Sequence, residues 1–98
     1  MRLIYHPAAE AELLEAVRFY EEKVPSLGLD LLEKIDLAIT STESDPERNR
    51  LIEKEVRRYL LPRFPFAIYY RMLPEHVRIL AIKHHSRHPD YWRDRLSD

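Results

Sequence analysis

The 98 residues contain no cysteine and a single glycine, Gly28. The first absence excludes disulfides and thiolate zinc sites and fits a reducing cytosol. The second, set beside 45% apolar and 34% charged residues, speaks for a folded chain rather than a disordered one. No apolar run approaches the ~20 residues of a membrane span. In MRLIYHPAAEAELLEA the glutamates arrive too early for a signal-peptide core. The expectation is one cytoplasmic domain over residues 1–98, without membrane association, and small enough to gain from a stabilising partner.

A large net charge is also missing, at −1, but the average hides an asymmetry. Residues 1–47 carry four Lys/Arg against eleven Asp/Glu, and residues 48–98 carry twelve against six. Four of the five histidines fall in the second half. Such a division suggests one face meant for a negatively charged partner, nucleic acid or acidic protein, or else two halves that attract each other within the fold.

The pattern along the chain predicts the elements. RLIYH is short and apolar and stops at Pro7, which suits a strand running into the first turn of a helix. Leu13, Val17, Tyr20 and Val24 then recur at helical spacing, with Glu10, Glu12, Glu15, Glu21 and Glu22 taking the wet side. KVPSLG breaks this helix, and Ser26 is the expected N-cap of a second one. Its stripe is Leu31, Ile35, Ala38 and Thr42, flanked by Leu32 and Ile39. Residues 43–55 are polar and read as a loop with at most a brief helical turn. VRRYLL, FAIYYRM and HVRILAIKH switch to β-branched and aromatic residues and predict three antiparallel strands. A short C-terminal element follows Pro89.

The helical hairpin can bury its stripe only against the sheet, which makes a two-layer α+β domain. Phe66, Ile68, Tyr70 and Met72 alternate towards the helices. The opposite face holds Ala67, Tyr69 and Arg71. Alternation adds one of Arg57 and Arg58, and one of Arg78 and Lys83. That face is expected to be a cationic surface.

The last stretch, HHSRHPDYWRDR, packs His84, His85, Arg87, His88, Arg93 and Arg95 around Tyr91 and Trp92. A helical turn after Pro89 would fold Trp92 against the sheet or the first helix and leave Arg93 and Arg95 as a cationic rim. His84 and His85, adjacent at a strand end, should point to opposite faces, and no metal site is expected.

VRRYLLPRFPFAIYYRM and VRILAIKHHSRHPDYWRDR, preceded by a strand and a helical hairpin, resemble the RelE/ParE superfamily of small bacterial toxins over essentially the whole chain. The ParE-like, plasmid-stabilisation branch is the more similar. The resemblance implies a type II toxin whose partner is a cognate antitoxin, a small DNA-binding protein with an extended or helical segment that covers the toxin's working surface. It implies DNA gyrase as target for ParE-like members, and ribosome-dependent mRNA cleavage for RelE-like ones. It implies no cofactor.

RNA cleavage needs a base, an acid and cations on the scissile phosphate. His84 or His85 are candidates for proton transfer, Arg57, Arg58 and Arg87 for phosphate, and Tyr91 or Tyr70 for stacking. RelE-type nucleases carry an arginine three residues before a tyrosine on the third strand, and here Ala67 occupies that place. The loss of one such cation costs on the order of a hundredfold in rate. Gyrase-type inhibition is therefore expected ahead of cleavage, with a degenerate, non-toxic binding module as a further alternative. The residues expected to meet target or antitoxin are Arg57, Arg58, Arg71, His85, Arg87, Arg93 and Arg95.

Overall fold

The computed structural model describes residues 2–97. Strand β1 spans Arg2–Tyr5, helix α1 Pro7–Lys23 and helix α2 Leu27–Ser44. Four strands follow: β2 Arg50–Glu53, β3 Val56–Leu60, β4 Phe66–Met72 and β5 His76–His84. A 3₁₀ turn covers Arg93–Ser97. The strands form one five-stranded sheet in the order β1-β5-β4-β3-β2, with β1 parallel to β5 and the other neighbours antiparallel. The helical hairpin lies on one face, giving the expected two-layer α+β architecture.

Strand β2 corrects the expectation of a loop over 43–55. Arg50, Leu51 and Glu53 pair with β3 around an irregularity at Ile52, and side chains from β3 and β4 hold the segment that leads into β2. Tyr70 donates its hydroxyl to the Pro46 carbonyl at 2.7 Å and accepts from the Asn49 amide at 3.1 Å. Arg57 donates to the carbonyls of Glu47 and Asn49 at 3.0 and 2.7 Å. A polar stretch becomes a strand because tertiary partners outweigh its weak local preference.

The start of α1 follows the sequence closely. His6 is the N-cap, its Nδ1 accepting from Ala8 N at 3.0 Å, and Pro7 opens the helix. The start of α2 does not. Ser26 adopts a left-handed φ of 73° and its hydroxyl makes no capping bond. The carboxylate of Glu21 replaces it, accepting from Ser26 N at 2.8 Å, Gly28 N at 2.9 Å and Leu29 N at 3.3 Å. An anionic acceptor suits the positive end of a helix. Gly28 is buried at this crossing, where an added Cβ would fall on the Val17 carbonyl oxygen. The only glycine is therefore spent on the close approach of the two helices.

The core between helices and sheet contains Ala9, Ala16, Leu31, Ile35 and Ala38 from α1 and α2, and Phe66, Ile68, Tyr70, Val77, Ile79 and Ile82 from the sheet. A bulge interrupts the β4–β5 pairing: Tyr70 stands opposite Ile79, but Tyr69 opposite Ala81. The extra residue, Leu80, reverses the alternation along β5. Arg78 pairs with Arg71 before the bulge and Lys83 with Ala67 after it. Both basic residues therefore reach the outer face, where simple alternation would allow only one.

Candidate functional site

The outer face of the sheet is not the open cationic surface the sequence suggests. The C-terminal segment folds across part of it and makes a second apolar cluster: Val56, Ala67, Tyr69, Leu80, Ala81 and Trp92, flanked by Ile52, Tyr91 and Leu96. Trp92 is 2% exposed. Its ring sits 5.3 Å from Tyr69, and its Nε1 donates to the Pro89 carbonyl at 2.7 Å. An indole needs such an acceptor when buried.

Glu12 ties this segment down. Its carboxylate meets Arg95 through two hydrogen bonds, at 2.9 and 3.0 Å, and accepts the Tyr91 hydroxyl at 2.7 Å. The same carboxylate takes Ile82 N at 3.0 Å, while Arg95 donates to the Leu80 carbonyl at 2.9 Å. Strand β1 runs beside β5 only as far as Ile79. Beyond that point this ion pair satisfies the edge of β5 in place of a strand. Burial and the hydrogen bond to Glu12 push the Tyr91 hydroxyl well above the usual tyrosine pKa, and Arg95's own hydrogen bonds to Glu12 raise that of Arg95.

The seven residues expected to meet a partner separate into groups. Arg57 points to the helix side and braces residues 47–49. Arg71 pairs with Glu55 at 2.8 Å and donates to the Leu96 carbonyl at 3.0 Å. Arg93 pairs with Glu53 and Asp90 at the surface, and Arg95 with Glu12. His85 is exposed, its backbone N–H donating to the Pro65 carbonyl at 2.9 Å. Arg58 lies on the outer face opposite Tyr69. Arg87 is exposed and stacks on Tyr91, its guanidinium carbon 4.2 Å from the ring centre.

A further cation on the outer face is a residue the sequence offered only as an alternative to Arg78. Lys83 is buried on the outer face, and its ammonium donates to the His84 carbonyl at 3.2 Å. Burial, then Arg58 and Arg87, lower its pKa. Among the described residues no carboxylate pairs with any of these three cations.

On the helix side a groove of about 340 Å³ runs between α1 and the end of β5, walled by Phe19, Tyr20 and Phe66, with Glu15, His84 and Arg87 at its polar edge. His84 turns into this side, edge-on to Phe66 at 5.1 Å, and its Nδ1 accepts Ser86 N at 3.0 Å. His88 likewise accepts Asp90 N at 3.1 Å. Two acceptors were hidden in the sequence. Glu12 and Glu21 both looked like the wet side of α1. The spacing Ala9-Glu12-Ala16 places Glu12 on the buried alanine stripe, which is the signal that finds it. Nothing comparable marks Glu21.

A hairpin of helices on one face of a mixed sheet, with a tail-built second core on the other, defines a small two-layer α+β class of domain. The sequence pattern of the ParE toxin of the type II toxin–antitoxin system, parDE, matches residues 3–89, and the chain belongs to that family. Its fold is similar to a solved chain of the chromosomal ParDE toxin–antitoxin system from P. aeruginosa. The TM-score is 0.75 and the identity 22%, over 86% of this chain and 95% of that one. No match was found among curated proteins.

Proposed function

We propose that the chain acts in the cytoplasm as the toxin of a type II pair, that a cognate antitoxin neutralises it, and that it inhibits an essential target by binding, DNA gyrase first. Residues 1–98 act as one toxin domain in this reading. The observation that carries it is the family match over residues 3–89.

Chemistry supports binding over RNA cleavage. A cleaving site needs a proton acceptor beside the phosphate-holding cations. The Tyr91 hydroxyl is committed to Glu12, with its pKa pushed up. His84 turns to the helix-side groove, engaged with Ser86 and Phe66, which leaves the exposed His85 as the proton-transfer candidate of the nuclease alternative. Ala67 brings no charge. Arg58 and Arg87 favour the nuclease alternative only as phosphate ligands.

Induction in cells separates the readings. Gyrase inhibition yields a double-strand-break response with translation sustained, and purified toxin slows supercoiling by gyrase. Rapid translation arrest with cleaved messages would replace this reading with the nuclease. Absence of any growth defect would leave a binding module. Co-expression of the antitoxin should restore growth in the first two cases.

A further inference from the structure

Among the described residues, Lys83 is the one lysine or arginine that is buried. It is 6% exposed, yet its ammonium makes one hydrogen bond, to a neighbouring carbonyl. A buried cation ordinarily finds a carboxylate. The carboxylates on this face go to Arg71, Arg93 and Arg95, and among the described residues none pairs with Lys83, whose charge feels those of Arg58 and Arg87 instead.

The placement is built rather than incidental. The β5 bulge puts Lys83 on the outer face. Leu60, Ala67 and Lys83 stand in one row across β3, β4 and β5, so the short Ala67 side chain is its floor. Arg58 flanks that row from β3. Arg87 is held by stacking on Tyr91, and Arg95 lies against the same ring at 4.9 Å.

We propose that Arg58, Lys83 and Arg87 form a binding site for a phosphate group, presented by a nucleotide or by a nucleic-acid strand. Two guanidinium forks and one ammonium offer many donors around one point. A terminal phosphate supplies more acceptor oxygens to such a cluster than a flat carboxylate does, and a strand brings successive phosphates to it. The site holds phosphate, and no cleavage is assigned to it. It stands whichever target the toxin meets.

The test is titration of the full-length chain with inorganic phosphate, ATP, short single-stranded DNA and RNA, and a polyglutamate peptide. Phosphate and at least one of the phosphate-bearing probes bind. ATP without strands points to a nucleotide, and strands without ATP point to nucleic acid. Arg58→Gln, Lys83→Met and Arg87→Gln each weaken binding on the order of tenfold or more. Each also lowers the salt slope for strands by about one. Arg18→Gln, on the exposed side of α1, changes neither. Because Lys83 binds its proton weakly in the free protein, affinity for a strand, whose diesters do not titrate near neutrality, falls as pH rises through that lowered pKa. Lys83→Met removes this dependence. It also keeps or raises the melting temperature without phosphate, so lost binding cannot be attributed to unfolding. Failure of every phosphate probe, polyglutamate binding as tightly as strands, or three variants that bind like wild type would each overturn the proposal.

Discussion

The two faces of the sheet are closed by different means. On one, two long helices lay down Ala9, Ala16, Leu31, Ile35 and Ala38 as a continuous apolar layer. On the other, a tail of a few residues supplies Trp92, with Tyr91 and Leu96 beside it. The helical side follows from the period of the hydrophobic pattern and contains few polar links. The tail side depends on a few single groups: one indole, one largely buried ion pair, and one tyrosine ring with two guanidiniums against it. The difference shows how a small chain closes a second sheet face without a second layer of helices, by concentrating the contact in one large ring and anchoring it with charge.

The largest effect should come from breaking that asymmetry at its centre. Trp92→Ala removes the biggest buried side chain of the outer cluster, and truncation of a buried Trp typically costs about 3–5 kcal/mol. Ile35→Ala on the helical side should cost about 2–5 kcal/mol. Urea denaturation of the two variants measures the comparison. If Trp92→Ala costs under half of what Ile35→Ala does, the tail is a veneer and the outer cluster is no second core.

The next effect sharpens the role of charge. Glu12→Gln keeps the shape and one carbonyl acceptor but leaves Arg95 without its counter-charge. The two side chains are only 15% and 12% exposed, so about 2–3 kcal/mol should be lost, below the usual cost of breaking a fully buried pair. The loss should be local. Amide exchange should quicken at Leu80 to Ile82 and in the 3₁₀ turn before it does in α2. Uniform acceleration throughout the chain would show that the pair supports the whole fold rather than fastening the tail.

Legibility in the sequence divides along the same line. The helices, four of the five strands and the helix-facing set Phe66, Ile68, Tyr70 and Met72 follow from period, composition and the placement of Pro7. Strand β2 does not, because its support comes from Arg57 and Tyr70 on other strands and no local pattern encodes that. The bulge at Leu80 is equally silent in a run of Ile-Leu-Ala-Ile, yet it decides that Arg78 and Lys83 share a face. Arginines are visible in a sequence, but their partners are not. Glu55, Glu12 and Glu53 lie 16, 83 and 40 positions from Arg71, Arg95 and Arg93, so one cationic rim could not be told from three ion pairs. Trp92 was expected to close the core and does, although on the outer face rather than by any rule that could choose between the sheet and α1.

The smallest effect tests whether the tail's surface charge matters at all. Arg93 meets Glu53 at 2.7 Å, a shorter contact than either bond between Arg95 and Glu12. Distance alone would rank it first. Its side chain is 52% exposed, however, and solvent screens what geometry offers. Arg93→Ala should therefore cost no more than about 1 kcal/mol, and 0.5 M salt should erase most of it. Glu12→Gln should keep most of its cost at that salt, since screening reaches a largely buried pair poorly. Denaturation of both variants at low and high salt reads the difference. Equal salt sensitivity would mean that the Glu12–Arg95 pair is as wet as the Arg93 pair, and that Trp92 alone holds the tail against the sheet.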